Sequence, residues 1–446
     1  MASAAEQLAS SFSMKAFSKA DDLKKRIWFT LGALIVYRIG TFIPSPGIDP
    51  VAMANLAGKA AGGLLAVFNT FGGGALGRMT IFALGIVPYI TASIITQLLT
   101  SIVPQLEALK KDGETGRKKI NQYTRYLTVL IAIFQASSMA IFLEGVSDSP
   151  VMEPGLLFKT TFVTSLVGGT VFLMWLGEQI TSRGIGQGSS LIIFAGIISG
   201  LPQGLALLFE MGRNRTISPL FLVSVLVLAV AIVFFVVYME RSFRKINIQY
   251  PKRQVGNKMY GGNSTHLPLK LNSSGVIPPI FAGALLSFPA TIAGFSDGTG
   301  MLARFTSSFQ HGTWGFISLY VFLIVFFAFF YTSVVFNSEE TAENLRKGGA
   351  IILGIRPGKN TAEYLDYILT RLTVAGAAYI SLVCVMPEIF TRYSSIPLAL
   401  GGTGVLIVVS VTIDTVGQIH SHMIAQQYEG LMKKSWVNKG KGVPRS

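Results

Sequence analysis

LLAVFNTFGGGALGRMTIFALGIVPYITASIITQLL, residues Leu64 to Leu99, holds two apolar runs of unequal length. The first, carried by Leu64, Leu65, Val67, Phe68, Asn69 and Phe71, is far shorter than the ~20 residues a helix needs to cross a bilayer. Gly72, Gly73 and Gly74 break it before the longer run begins. Residues 64–74 therefore cannot span. An irregular backbone at membrane depth is tolerated only where protein surrounds it or water reaches it. The stretch is read as a re-entrant half-helix inside a helix bundle, over a cavity; the alternative is a helix lying in the membrane interface.

Composition places the rest of the chain in the membrane. Half of the 446 residues are hydrophobic and 13% are charged, against about 25% charged in a soluble fold, and the mean hydropathy is +0.54. The single cysteine, Cys384, lies in an apolar run, so neither an internal disulfide nor a Cys-rich metal site is expected. His420 and His422 form an H-x-H pair with no third ligand nearby in sequence, and no metal or other cofactor is expected.

Ten apolar segments are long enough to span: about Ile27–Pro44, Thr80–Val103, Tyr126–Leu143, Leu157–Leu176, Ser189–Leu208, Pro219–Tyr238, Val276–Phe295, Phe316–Phe336, Ile368–Pro387 and Ile396–Val416. The fold class is an all-α polytopic membrane protein with both termini on one side. Residues 1–26 read as a polar tail ending in the amphipathic DDLKKRIWF, with no cleavable signal peptide evident, and 419–446 as a second tail. Of 37 Lys and Arg, 29 fall on the side of the termini, seven on the other side, and Arg38 within a span. The positive-inside rule makes the termini cytoplasmic.

Two loops on that side are too long for connectors. Residues 240–271 alternate apolar and polar positions, as a hairpin would, and 337–366 begin as a helix and continue into the Pro-Gly turn IRPGKN. Such loops dock a protein or ribosomal RNA, or anchor electrostatically to anionic lipid.

The spans lack what ion-coupled transport or intramembrane chemistry needs. Asp, Glu and His are nearly absent from their interiors. Arg38 can snorkel to the interface, and only Asp414 lies on the interior side of a span. Within the spans HExxH, GxSxG and paired aspartates are absent, so no enzymatic activity is expected. RGIGQGSS, Arg183 to Ser190, follows no strand; its glycines suit close helix packing or a turn. What remains is apolar. Ile86 and Ile90, four apart with Pro88 between, share one helix face. They belong either to ordinary packing or to a ring that seals a pore by dewetting. The polar groups at Thr96-Gln97 and Asn272-Ser273-Ser274 sit at span ends, where hydrogen bonds of ~1 kcal/mol or less would close a seam that opens easily. A solute transporter built around Asp414 and a pore-free scaffold or insertase are the competing readings.

Long strings then narrow the choice: GALIVYRIGTFIPSPGID, FGGGALGRMTIFALGIVPYITASIITQLL, INQYTRY, FLMWLGEQITSRGIGQGSS, STHLPLKLN, GVIPPIFA, FFYTSVVFNSEETAENLRKGGA, GIRPGKNTAEY and GGTGVLIVV. From about Leu23 to Met432 the chain resembles the SecY family of bacterial protein-conducting channels. The resemblance implies ten transmembrane helices in two five-helix halves, residues 27–208 and 209–418, around a central pore stoppered by a plug at Leu64–Gly74. It implies a pore ring of Ile86, Ile90, Ser189, Ile193, Ile280 and Ile407, with a hydroxyl at Ser189 where relatives commonly carry an aliphatic residue. It implies a lateral gate with Gln97 and Asn272 in polar contact beside Thr96, and a cytoplasmic docking surface at Lys252, Arg253, Lys258, Arg356 and Lys359. The implied partners are SecE and SecG subunits, the SecA motor ATPase, the translating ribosome, signal peptides and nascent chains, and anionic lipid, all at the bacterial inner membrane. On this reading the plug lacks strong polar anchors and leaves the pore freely.

Overall fold

The computed structural model describes residues 21–59, 72–145, 149–214, 218–250, 253–255, 258–260, 264–293, 313–394 and 401–440. Each of the ten apolar segments contains one helix: α1 (Asp21–Gly40), α3 (Val87–Ile102), α5 (Glu114–Gly145), α6 (Leu156–Arg183), α7 (Gly188–Arg213), α8 (Pro219–Glu240), α9 (Ile277–Ala293), α10 (Trp314–Val335), α12 (Lys359–Ser394) and α13 (Gly402–Gly440). Shorter helices are α2 (Pro50–Lys59), α4 (Pro104–Lys111) and α11 (Ser338–Lys347). Seven of the ten are long and apolar enough to cross a bilayer on their own. The remaining three are α1, which carries Lys24, Lys25, Arg26 and Arg38, and α3 and α9, with 16 and 17 residues.

Local chemistry sets the ends. Ser218 caps α8 by accepting from the Phe221 amide, with Pro219 in the first turn, where its missing N–H has no role. Asn337 caps α11 through the amides of Glu339 and Glu340. Glu339 and Glu340 lie in its first turn and Arg346 and Lys347 in its last, matching the helix dipole at both ends. At Pro104 the chain turns by 98° from α3 into α4, because the residue before a proline is held out of the helical region.

The second apolar segment departs from the expected span. Residues 72–86 are a run of turns, and helix begins only at Val87. Gly73, Gly74, Met79 and Gly85 have positive φ, and the backbone is tied sideways: Ile81 N–H donates to Ile43 C=O and Ser45 N–H to Met79 C=O, around a bridge between Pro44 and Thr80. Ile86 is thus the residue before the helix, although the Ile90 amide already donates to its carbonyl. Pro88 falls in the first turn, so it bends nothing.

Three apolar clusters fill the helical region. One joins α8, α9, α10, α12 and α13 around Phe281, Ile324 and Ile380. A second joins α1, α6, α7 and α13 to residues 75–86. The third packs Met53, Leu76 and Met79 against α5 and α6. The RGIGQGSS turn is a packing device: a Cβ on Gly188 would strike the Gly177 carbonyl, and the amides of Ile185 and Gly186 donate to Thr30 of α1 and Gln418 of α13.

The two long loops fold together. β1 (Phe243–Gln249) pairs antiparallel with β4 (Ser264–Lys270), Phe243 opposite Lys270. A tip hairpin of β2 (Arg253–Val255) and β3 (Lys258–Tyr260) lies between them. From the second loop β5 (Ile351–Ile352) joins the free edge of β1. Alternation puts Ile246, Ile248 and Leu269 on one face, where they bury against Ile352 and against Leu365 and Leu369 of α12. The expected hairpin and helical start both form, on one shared core.

Candidate pore, seam and docking surface

The expected ring residues meet. Ile86, Ile90 at the start of α3, Ile193 of α7, Ile280 of α9 and Ile407 of α13 belong to a single contiguous apolar cluster. Ile86, Ile193 and Ile407 are buried; Ile90 and Ile280 are half-buried. Ser189 sits at the N-terminal end of α7 beside Ile86: a Cβ on Gly177 would lie 3.5 Å from the Ser189 backbone nitrogen and 3.6 Å from Ile86 Cδ1. Five branched aliphatic side chains from four elements converge there with no charge among them.

Of the expected plug, Leu64, Leu65, Val67, Phe68, Asn69 and Phe71 lie outside the described residues; Gly72, Gly73 and Gly74 do not. Gly73 is buried at φ +64, left-handed territory that costs an L side chain about 1–2 kcal/mol. Its carbonyl accepts from Arg38 Nη1 and Arg78 Nη2, each at 3.0 Å, and the Gly74 carbonyl accepts from Arg78 Nε at 3.2 Å. Arg38 Nη1 also donates to Ser199 of α7 at 3.0 Å. Both guanidiniums lie over the Phe42 ring, at 4.8 and 4.2 Å. Burial, and then the charge of Arg38, push the Arg78 guanidinium below its ordinary range. Two expectations are corrected here. Arg38 turns inward instead of snorkelling, because the Gly73 carbonyl and the Ser199 hydroxyl satisfy it. The glycine hinge is anchored by two cations instead of lacking polar anchors.

The seam is also unlike its expectation. α3 packs along α5 and touches α9, with Ile94 and Phe281 in one cluster. Gln97 and Asn272 share no hydrogen bond among the described residues. Gln97 is exposed and donates to Ser93 of its own helix at 3.4 Å, and Thr96 donates to the Ala92 carbonyl. Asn272 donates instead to Glu240 at 2.7 Å and to the Gly275 carbonyl. The contact between α3 and α9 is apolar, with the polar groups satisfied on either side of it.

On the loop platform, Arg356 and Lys359 are exposed, with Lys359 opening α12. The Arg356 carbonyl accepts from Thr361, which closes the turn. Arg253 and Lys258 stand on the tip hairpin, on β2 and β3; Lys252 lies outside the described residues. Asp414, the one candidate for an ion site, has a side chain 61% exposed and pairs with Lys270 at 3.6 Å.

A family model described as SecY matches residues 80–416. The chain is 55% identical over 424 residues to the protein translocase subunit SecY of Rickettsia conorii, covering 94% of this chain and 98% of that one. The chain belongs to the SecY family. Against the SecY of Escherichia coli K12 it is 51% identical over 419 residues, 93% of this chain and 95% of the relative. Solved structures of similar fold include a protein-conducting channel, TM-score 0.65 at 18% identity over 90% of this chain and 93% of that one. Another is Sec61 in a canine ribosome-channel complex, TM-score 0.61 at 17% identity with the same coverage.

Several polar contacts of this SecY-family chain were not legible in its sequence. Arg125 of α5 forms a bidentate pair with Glu178 of α6, at 2.9 and 2.7 Å, and Lys159 pairs with Glu144 at 2.9 Å. The partners are 53 and 15 residues apart, and no short-range pattern announces them. Glu240 carried a weak signal: a lone carboxylate ending the most apolar of the spans.

Proposed function

We infer that this chain is the protein-conducting channel of a bacterial Sec translocase, passing unfolded secretory proteins across the inner membrane and releasing transmembrane segments into it. The convergence of Ile86, Ile90, Ile193, Ile280 and Ile407 in one apolar cluster carries the reading. Such a waist excludes ions by dewetting and binds no side chain of what passes, so it serves any extended polypeptide. Residues 64–74 form the plug. The halves are residues 27–208 and 209–418, with the termini and the loop platform in the cytoplasm, as the distribution of cations supports.

A signal peptide or nascent transmembrane helix parts α3 from α9 and moves toward lipid. Each Leu, Ile, Phe or Val gains a few tenths of a kcal/mol at the helix centre, and no hydrogen bond between Gln97 and Asn272 has to be broken. Directional force comes from outside: the SecA motor or the translating ribosome docks on the platform around Arg253, Lys258, Arg356 and Lys359. Solved Sec61 and Ssh1 channels of this fold in ribosome complexes support the ribosome as a partner. SecE and SecG complete the assembly, and anionic lipid surrounds it.

A cysteine replacing Ile90 is expected to crosslink to a secretory chain arrested in transit. Failure to crosslink, with SecA present and the chain arrested, would overturn the assignment of the waist.

A further inference from the structure

The mechanism above leaves one buried carboxylate without a task. Glu240, the last residue of α8, is 8% exposed and accepts from the amide of Asn272, itself 4% exposed, at 2.7 Å. The second Asn272 contact is to the Gly275 carbonyl at 3.2 Å, and its own carbonyl accepts from Ser274 at 3.1 Å. Asn272 therefore ties the turn that opens α9 to the end of α8. A carboxylate out of water whose hydrogen-bond partner is a neutral amide, with the Lys270 cation beyond it partly offset by Asp414, is a poor way to gain stability, since an apolar side chain would avoid its desolvation. Its value has to be sought in what it positions.

The surroundings name that object. Between Glu240 and Asn272 the chain leaves the membrane, forms the docking hairpin and returns, and the Leu271 amide donates to the Ser242 carbonyl to close the hairpin at its root. Two residues separate α8 from β1, and six separate β4 from α9. α12, which begins at Lys359 on the docking surface, presses on the same point: a Cβ on Gly376 would lie 3.1 Å from the Leu271 carbonyl and 3.6 Å from Asn272 Cα. Lys270, at the end of β4, reaches Asp414 of α13, about two turns from Ile407. The hairpin, α12 and two of the helices that supply the waist are thus fastened at one joint.

We propose that Glu240 is a positioning residue: through Asn272 it fixes the gate helix α9 to the root of the docking hairpin, so that occupancy of the platform moves α9 relative to α3. This rests on the channel reading above and adds the residue that transmits docking to the seam.

The test uses the complete translocase reconstituted in proteoliposomes, with spin labels on cysteines replacing Leu99 of α3 and Leu285 of α9, both exposed. Purified SecA with ATP is the probe. The α3–α9 distance shifts on SecA binding in the parent. Glu240→Ala is expected to bind SecA with unchanged affinity, to lose the shift, and to export a secretory substrate at least tenfold more slowly. Glu240→Gln, whose side-chain oxygen still accepts from Asn272, is expected to restore both. An undiminished shift in Glu240→Ala, or weakened SecA binding, overturns the proposal. A parent that binds SecA without any change at the seam overturns it too, whereas a parent that binds SecA and passes no secretory substrate breaks the channel reading on which it rests.

Discussion

The two ends of the α3 region are closed by opposite means. At its start, the glycine hinge is held by three guanidinium-to-carbonyl bonds from Arg38 and Arg78 and by backbone ties to residues 43–45. Along its seam with α9 the contact is apolar, around Ile94 and Phe281, and its polar neighbours bond elsewhere. In lipid, apolar contacts between helices are replaced by contacts with acyl chains at little loss, whereas a bared carbonyl or guanidinium is replaced by nothing. On the channel reading proposed above, the difference teaches an order of events: the seam yields readily to an oily peptide, and the glycine hinge is the firmer closure.

The largest effect comes from removing that firmness. Arg38→Ala combined with Arg78→Ala abolishes three charge-assisted bonds of about 1.5–3 kcal/mol each, and ion leak through proteoliposomes is expected to rise more than tenfold. Unchanged leak would show that the hinge does not hold the closed state. Next, Asn272→Leu leaves the Glu240 carboxylate buried and unpaired, and thermal unfolding in detergent should report a loss of about 2–3 kcal/mol. Gly73→Ala forces an L residue to φ +64 and brings a Cβ to 2.9 Å from Ser199 Oγ; the same measurement should show about 1–2 kcal/mol. The smallest effect is predicted for Gln97→Leu. It breaks one long intrahelical bond, and signal-peptide-driven opening should shift by less than about 0.5 kcal/mol. A large gain in opening there would mean that a polar bond does cross the seam, and the contrast would dissolve.

Much of this was legible in the sequence, for reasons that separate cleanly. Helices wrote themselves as long apolar runs, and the hairpin as alternation around Ile246 and Ile248, because both signals are periodic and local. Strings such as GGTGVLIVV and GVIPPIFA carried the family resemblance, and the isoleucines it singled out, Ile280 and Ile407 among them, lie in one apolar cluster. The polar wiring was not legible. Nothing near Arg38 tells whether its long side chain reaches water or a carbonyl 35 residues onward. The resemblance sets Asn272 against Gln97 across the seam, and only the placement of Glu240 in the fold turns it the other way. The first residues of the Thr80–Val103 segment are apolar enough for helix, yet the bridge to Pro44 and the positive φ at Met79 and Gly85 take them elsewhere.

α12 runs for 36 residues from Lys359 on the loop platform through an apolar span, with Pro387 near its far end. At 1.5 Å per residue it is a strut of about 54 Å. A rocking of about 5° at Lys359 would sweep its opposite tip through roughly 5 Å, on the scale of one helical turn. On the channel reading proposed above, a partner that never enters the membrane thus holds a crowbar that runs through the whole span and ends beyond it.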